Sequence, residues 1–455
     1  MGVLLAAAVL VFAAVRERIW QVAVSDPRRP LLCAVDPQPP RLVRYASDRF
    51  ESPGGPSFGL VLEDREGVPA RVFNLTAWGN LSADSSGEAR DREEGLYGQA
   101  FELARERWSA YLGATRSGQL GLDPSWETFS EEIVPDQVCA PIAASRAELV
   151  AGERLIIGTA FNYIEHAAEA GGRDVFFFPK PVLPTGPYDS LVLGAETTLL
   201  DYEVELGLVL LHDIDLAALP SALELDERVA YFVANDVSDR EAMLRAQPFF
   251  GGPRVTAAGK VQPGFLPSGP WLVHGRDLHP FSAACTRFFE LALEVEADGV
   301  RTLRQLSHTG RMRKTPRELL LSLVAALGVN SAQTAEGGGA LSAEAEALTR
   351  QLGLASGRPL LPRGSILLTG TPAGTAFRSP QRVRTLVRAL LHLRAPREQW
   401  LDDLQQSRRA QGYLAAGDRV YASIQWLGSQ NWPVVARREK QTSAAKHCEI
   451  SSPVF

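Results

Sequence analysis

The sequence predicts an α+β protein that is mainly β, with a small β-rich N-terminal domain ahead of a larger β-rich domain. Residues 19–75 contain short apolar runs interrupted by proline and glycine, a pattern typical of short strands joined by turns. From residue 153 onward the apolar runs are longer and keep the composition of strands. Hydrophobic residues make up 45% and charged residues 22% of the 455 residues, as in other globular proteins.

The change of pattern near residue 150 divides the chain. In the N-terminal part, a helix is expected at about 96–112, where large apolar residues recur among polar ones. The predicted segments are an apolar N-terminal extension at 1–18, the β-rich N-terminal domain at 19–150, the larger domain at 151–437 and a C-terminal tail at 438–455.

Six apolar runs predict the strands of the larger domain, at 154–158, 202–211, 229–234, 288–297, 365–369 and 420–426. Residues 331–358 are rich in Gly, Ala and Glu, which predicts a flexible loop leading into a helix at 342–352. Residues 378–416 carry eight arginines against three acidic residues, and their apolar residues have helical spacing. A solvated helical face is the first interpretation of this charge run, and a membrane-facing or partner-facing surface is the alternative.

Charge and cysteine usage limit the partners and the compartment. A net charge of −6 gives no indication of general affinity for nucleic acid. The four cysteines lie far apart and form no C-x-x-C motif; their even number permits disulfides, but a chain of this length does not depend on them. We therefore predict a reducing, cytoplasmic compartment.

The N-terminal apolar run at 3–15 is shorter than the roughly 17–25 residues of a spanning helix. It also lacks the preceding basic residues of a signal peptide. A membrane is therefore not an expected partner, although weak membrane association of residues 3–15 stays open.

Three acidic residues suggest a metal site. Glu203 and Glu205 are two residues apart, so on a strand they lie on the same side of the pleat, and Asp236 follows the apolar run at 229–234. Three converging carboxylates suit a hard divalent ion such as Mg²⁺, Mn²⁺ or Ca²⁺. Taken alone, two glutamates so spaced are more often the solvated side of a strand.

His166 and Glu169 form a candidate acid/base pair. They are three residues apart, so on a helix they share a face and can form a hydrogen bond. A carboxylate beside a histidine fixes its tautomer and raises its basicity, which suits a general base. A single histidine near a loop is more often structural, and a surface position is the ordinary interpretation of Lys180 and Lys260.

The order of these residues resembles the fumarylacetoacetate hydrolase superfamily. The family pattern runs through G-x-N-Y-x-x-H-x-x-E, F-x-K-P, E-x-E-L, D-x-[ST]-x-R, a lysine loop before P-x-G-P, L-T-G-T-P and G-D-x-[VI]. The matching stretches here are 158–169, 178–181, 203–206, 236–240, Lys260 ahead of 267–270, 368–372 and 417–420. The resemblance covers about residues 153–435. It implies the mixed β-roll catalytic domain (a β-sandwich roll) of that family over 151–437, with 331–358 and 378–416 as insertions.

The resemblance also implies a role for each matching side chain. The implied metal ligands are Glu203, Glu205 and Asp236. The implied catalytic residues are His166, Glu169, Lys180 and Lys260. The implied substrate-binding residues are Asn162, Tyr163, Arg240 and Thr371.

The activity implied is that of a metal-dependent hydrolase. It would cleave a C–C bond in a small β-diketo or 2-oxo acid of the acylpyruvate or fumarylacetoacetate type, through a metal-held enolate and water activated by the His–Glu pair. One alternative is a 2-oxo acid decarboxylase, hydratase or isomerase on the same scaffold. Another is a non-catalytic relative that binds a partner. By analogy with the family, the chain is expected to form a homodimer.

Overall fold

The computed structural model describes residues 38–437 and residue 448, with gaps at 51–54, 82–88, 173, 195, 247–256, 282–287, 329–345, 347, 351, 353–359 and 379–381. The predicted extension at 1–18 lies outside the described residues. So do nearly all of the predicted tail at 438–455 and most of the loop and helix predicted at 331–358, of which residues 346 and 348–350 are described and helical.

The fold combines a large ten-stranded sheet and a five-stranded sheet with helices, which confirms the α+β, mainly β class. The strands are β1 Leu42–Tyr45, β2 Ser57–Arg65, β3 Val68–Asn74, β4 Ser130–Glu132, β5 Ile156–Ala160, β6 Phe176–Pro179, β7 Leu191–Leu193, β8 Leu200–Asp201, β9 Val204–Leu210, β10 Ile214–Asp215, β11 Val229–Asn235, β12 Ser238–Asp239, β13 Trp271–His274, β14 Glu290–Ala297, β15 Val300–His308, β16 Leu360–Leu361, β17 Ile366–Leu368, β18 Arg419–Ile424 and β19 Gly428–Ala436. All six strands predicted in the larger domain are present, within a few residues of the expected bounds.

Helices connect and cover the strands. They are α1 Leu75–Trp78, α2 Ala89–Ser117, α3 Ser125–Phe129, α4 Arg146–Ala151, α5 Ile164–Ala170, α6 Ala222–Asp226, α7 Arg240–Ala246, α8 Gly275–Leu278, α9 Pro316–Ala326, α10 Arg382–Leu391 and α11 Pro396–Gln411. The helix predicted at 96–112 is α2, which is longer than expected at both ends.

Two main sheets form the fold. A ten-stranded sheet has the order β4-β3-β2-β1-β13-β11-β9-β17-β5-β6, and a five-stranded sheet has the order β15-β14-β18-β19-β7. The pairs β10–β16 and β12–β8 form two further small sheets. One hydrophobic core joins side chains of both main sheets, among them Tyr231 of β11, Leu291 of β14 and Trp432 of β19. The two main sheets therefore face each other across a shared core.

The central strand β11 explains an unbroken apolar run in the sequence. Its Tyr231 and Val233 belong to the core between the sheets, whereas its Ala230 and Phe232 belong to a second core under helix α2. Every residue of β11 and of its neighbour β9 is buried. A strand covered on both faces keeps apolar residues on both, so alternation is lost.

The N-terminal strands belong to the large sheet. Strand β1 pairs antiparallel with β13, with Leu42 opposite Leu272, and β13 pairs with β11. The sheet is therefore continuous across residue 150, where the change of sequence pattern lies. The domain boundary predicted there remains a prediction.

The arginine-rich segment folds as predicted from its helical spacing. Helix α10 and helix α11 pack against each other as a hairpin. Leu401 and Leu404 of α11 are buried in a small core that also contains Leu199 and Leu244. Through this core, α11 packs beside α7, the helix that begins at Arg240.

A disulfide joins Cys139 to Cys448, whose Cα atoms are 5.5 Å apart. The pairing spans 309 residues, and no spacing rule in the sequence pointed to it. Cys33 and Cys285 lie outside the described residues. Among the helices that the structure describes, none is long and apolar enough to cross a membrane. The disulfide is at odds with the predicted reducing compartment, where cysteines are kept as thiols. The cytoplasmic location remains a prediction.

Candidate metal centre and active site

Three carboxylates converge at one end of the two central strands. Glu205 lies in β9, Glu203 directly precedes this strand, and Asp236 directly follows β11. The antiparallel ladder sets Glu205 opposite Ala234, and the Asp236 N–H continues it by donating to the Glu203 carbonyl at 2.8 Å. Ligand oxygens of the three side chains lie within 4.8 Å of one another, and all three residues are buried. Burial rules out the solvated-face interpretation of the two glutamates.

Three cations surround these carboxylates. Lys180 places its Nζ 2.6 Å from Asp236 Oδ1, and Lys260 places its Nζ 2.8 Å from Glu203 Oε2 and also contacts Asp236. Arg240 donates from Nε to Asp201 Oδ2 at 2.8 Å and pairs with Glu203 through Nη2. Both lysines are buried, so their ordinary surface interpretation is wrong.

The electrostatic environment differs among the carboxylates. Burial alone would raise the pKa of Glu203, but Arg240 and Lys260 outweigh burial and hold this pKa below its ordinary value. Burial, followed by repulsion from Asp236 and Glu203, raises the pKa of Glu205 well above the ordinary value. Among the described residues no ion pair joins Glu205 to a lysine or arginine, and its Oε2 accepts a hydrogen bond from Gly370 N at 2.7 Å. Glu205 is therefore the carboxylate whose charge is least compensated.

A divalent cation fits this donor set. With all groups ionised, the four carboxylates (Asp201 included) exceed the three cations by one negative charge. A buried uncompensated carboxylate is costly, and a hard cation with oxygen ligands removes that cost. A bound divalent ion would also leave the cluster with one positive charge (2 − 1), which suits an anionic substrate.

The predicted acid/base pair lies on helix α5. His166 is buried, and its Nδ1 lies 3.9 Å from Glu169 Oε2, which is too long for a hydrogen bond. The Glu169 carboxylate instead accepts from Gly374 N at 3.0 Å and lies 3.4 Å from Arg378. The predicted shared face is confirmed, whereas the expected hydrogen bond is not formed in this structure.

The predicted substrate-binding residues lie around the same centre, and two of the four, Asn162 and Thr371, are engaged by the backbone. The Asn162 amide donates to the carbonyls of Lys314 and Thr369 and accepts from Lys314 N. The Thr371 hydroxyl donates to Val204 O at 3.0 Å. By contrast, the hydroxyl of Tyr163 is buried and has no hydrogen-bond partner among the described residues, and burial followed by Glu205 raises its pKa. Tyr163 therefore offers a polar group that a ligand can use.

Gln305 in β15 is a site residue that sequence analysis missed. Its Oε1 accepts from Val204 N at 3.1 Å, and its Nε2 donates to Thr371 Oγ1 at 2.9 Å and to Pro372 O at 2.8 Å. Val204 lies between the two glutamates of the candidate metal site. One buried amide thus connects the strand beside the candidate metal ligands to the loop that follows β17. A glutamine in a polar strand has no sequence signal for this role.

Replacing Gln305 with Leu should lower the free energy of unfolding by about 1–3 kcal/mol, because the buried Val204 N–H loses its acceptor. Metal affinity should fall as well, because the backbone between the two glutamates is released. Chemical denaturation and calorimetric metal titration measure these effects. Leu306→Ala is the control, since its side chain lies on the exposed side of the same strand. Unchanged stability and affinity in the Gln305 variant would contradict the positioning role.

The fold and the site together define a mainly β protein with a buried three-carboxylate centre beside a helix that carries a histidine. Residues 155–338 match the family model described as the fumarylacetoacetate (FAA) hydrolase C-terminal domain. This segment is therefore similar to the C-terminal domain of proteins of the fumarylacetoacetate hydrolase superfamily. Members of this superfamily include hydrolases and isomerases, act on small molecules and typically bind a divalent metal ion.

Similar sequences come from Burkholderia. Proteins of Burkholderia cenocepacia (strain HI2424) and Burkholderia ambifaria (strain MC40-6), each named "Putative hydrolase", are 36% identical over 130 residues. The alignment covers 26% of this chain and 40% of each relative, so the chain spans about two fifths of their length.

Two solved structures are similar to the chain. One is a probable 2-hydroxyhepta-2,4-diene-1,7-dioate isomerase from Mycobacterium abscessus, with a TM-score of 0.49, 19% identity and coverage of 88% of this chain and 99% of that one. The other is a fumarylacetoacetate hydrolase from Exiguobacterium antarcticum, with a TM-score of 0.46, 18% identity and coverage of 88% and 100%.

Proposed function

We propose that the chain is a metal-dependent hydrolase that cleaves a C–C bond in a small β-diketo acid of the acylpyruvate or fumarylacetoacetate type. The observation that carries this proposal is the buried triad of Glu203, Glu205 and Asp236. Their ligand oxygens lie within 4.8 Å of one another, and buried lysine and arginine side chains surround them. The match of residues 155–338 to the FAA hydrolase family model supports an enzyme rather than a binding protein. All three proposed ligands are present, which counts against the non-catalytic alternative.

The three carboxylates would hold the divalent ion, and such an ion polarises a carbonyl and stabilises negative charge on its oxygen. The two lysines act beside it. Lys260 and Lys180 present ammonium groups at the edge of the triad, where they can bind the substrate carboxylate. Burial lowers the pKa of Lys180 despite the opposing effect of Asp236, which makes its Nζ a better proton donor to a carbanion leaving group.

His166 is the proposed general base. Its imidazole is buried, and it is close enough to Glu203 to contribute, after Arg240 and Lys260, to the lowered pKa of that carboxylate. In the proposed active geometry, Nδ1 donates to Glu169 and Nε2 takes a proton from water. The present 3.9 Å separation requires a small closing movement of α5, and catalytic hydrogen bonds often shorten when substrate binds.

A decarboxylase, hydratase or isomerase for 2-oxo acids is the second candidate. It needs the triad and the lysines, but a decarboxylase or isomerase does not need water activated by the His–Glu pair. The unformed hydrogen bond between His166 and Glu169 is the observation that favours this candidate.

Product analysis with Mg²⁺ or Mn²⁺ separates the two candidates. Hydrolysis of an acylpyruvate consumes one water and yields a carboxylic acid and pyruvate, with the water oxygen in the new carboxylate. The experiment incubates acylpyruvates, fumarylacetoacetate and oxaloacetate in ¹⁸O-water and follows the products by mass spectrometry. We expect label in the released acid. Release of CO₂, or an isomer of unchanged mass, would favour the second candidate, and no turnover of any substrate would contradict both.

A further inference from the structure

Helix α10 has an inverted pattern of burial. Its small residues Thr385 and Ala389 are buried at 4% and 2% exposure. A surface helix normally turns its large apolar residues toward the core. Here large apolar residues of the helix and of the turn after it are exposed, and we call them the leucine face: Val387 at 51%, Leu390 at 76%, Leu391 at 76% and Leu393 at 95%.

The end of α10 adds an independent observation. Arg394 N donates to Ala389 O at 2.9 Å and Leu393 N donates to Leu390 O at 3.3 Å, the pair of bonds of a Schellman motif. In this motif the residue in the left-handed region is usually glycine, but here it is Leu393, with φ of 51°. A leucine in the left-handed region destabilises the folded state, and because its side chain is exposed, burial of apolar surface offsets almost none of this cost. Such a residue is better explained by a contact outside the chain.

The surroundings of the leucine face are basic. Residues 382–395 contain four arginines and no acidic residue, and the whole segment 378–416 has a net charge of +5 (8 − 3) in a chain of net charge −6. Two of these arginines are held in place by α11: Arg388 pairs with Asp403 at 2.8 Å, and Arg394 pairs with Asp402. Their side chains remain partly exposed, so they are accessible beside the leucine face.

We propose that the leucine face docks on a phospholipid membrane with anionic headgroups. Apolar side chains flanked by arginines are the pattern of helices that lie in the membrane interface. With ten residues, α10 is about 15 Å long, half the roughly 30 Å hydrocarbon core, so it lies along the surface. A second copy of the chain is a less favourable partner for the leucine face. A two-fold contact between two copies would bring two segments of net charge +5 together, and these would repel each other.

The test is co-sedimentation of the full-length protein with vesicles of phosphatidylcholine containing phosphatidylserine, and with pure phosphatidylcholine vesicles. We expect binding to the anionic vesicles, weakened by salt and much weaker on the neutral ones. Leu390→Ser with Leu391→Ser should reduce the partition coefficient at least about tenfold. The matched control is Leu303→Ser with Leu306→Ser, which alters two exposed leucines of β15, at 51% and 54%, outside the arginine-rich segment.

Leu393→Gly separates docking from folding. Glycine removes the backbone cost at φ of 51°, so the thermal midpoint should stay level or rise while vesicle binding falls. The apolar segment at 3–15 is kept in every variant. Equal vesicle binding by the wild type and the double-serine variant would therefore overturn the proposal, because binding would then lie elsewhere. Absence of vesicle binding, with dimers in light scattering that the double-serine change dissociates, would overturn it in favour of a second copy.

Discussion

Replacing Glu205 with Gln should abolish turnover and divalent metal binding while leaving the fold intact. The change keeps the shape and the acceptor for Gly370 N, but removes the charge that a cation needs. Metal affinity should fall by more than about 10–100-fold, which is the typical effect of losing a residue that hydrogen-bonds to a metal ligand. Calorimetric titration with Mg²⁺ and Mn²⁺ measures the affinity, and initial rates with the best substrate measure the turnover.

The metal-free stability distinguishes a lost ligand from a lost fold. Glu205 is buried against Asp236 and Glu203, which raise its pKa, so the neutral amide should leave the metal-free protein as stable as the wild type or more stable. Because the carboxylate must lose its proton to bind metal, wild-type affinity should weaken as the pH falls. Glu224→Gln, on the exposed first turn of α6, is the control. Full activity of the Glu205 variant, or of wild type after exhaustive chelation, would end the metal hypothesis.

Replacing His166 with Ala should lower turnover by about 10²–10⁴-fold, the usual contribution of a general base. Metal affinity should change little, because His166 is not one of the three converging carboxylates. Stopped-time assays of turnover and calorimetric metal titration measure both quantities.

His212→Ala is the matched control, since His212 is exposed and follows the end of β9 opposite to Glu203 and Glu205. A His166 variant with normal hydrolysis would show that water is activated by another group. A variant that loses hydrolysis but keeps decarboxylation would favour the second candidate, a decarboxylase, hydratase or isomerase for 2-oxo acids.

Local patterns in the sequence predicted the parts of the site that depend on short spacing. Glu203 and Glu205 share a face because side chains alternate along a strand, and His166 and Glu169 share a face because three residues nearly complete a helical turn. Both placements are confirmed. Likewise, the helical spacing of Val383, Leu386 and Leu390 predicted α10.

Contacts between distant parts of the chain were decided by tertiary structure. The sequence pointed to Asp236 as a candidate ligand but not to the register of the strand before it. The antiparallel pairing of β9 with β11 sets that register and brings Asp236 beside Glu203. Gln305 reaches the site from β15, about a hundred residues after Val204. The sequence could not predict this, because a polar side chain in a strand can face either water or the core. Glu169 contacts Gly374 rather than His166, because its acceptor is a backbone N–H supplied by a distant loop.

The sequence by itself determined the strand-rich class, the helical periodicities and the residue types of the candidate metal site, because these follow from local spacing and side-chain chemistry. Tertiary structure decided the continuity of the sheet through β1 and β13, the pairing of Cys139 with Cys448, and the outward direction of the leucine face. Amphipathic spacing shows that a helix has an apolar side, but only packing against neighbours such as α11 determines which side is buried. In α10 this packing buries Thr385 and Ala389 and leaves the leucines in contact with solvent.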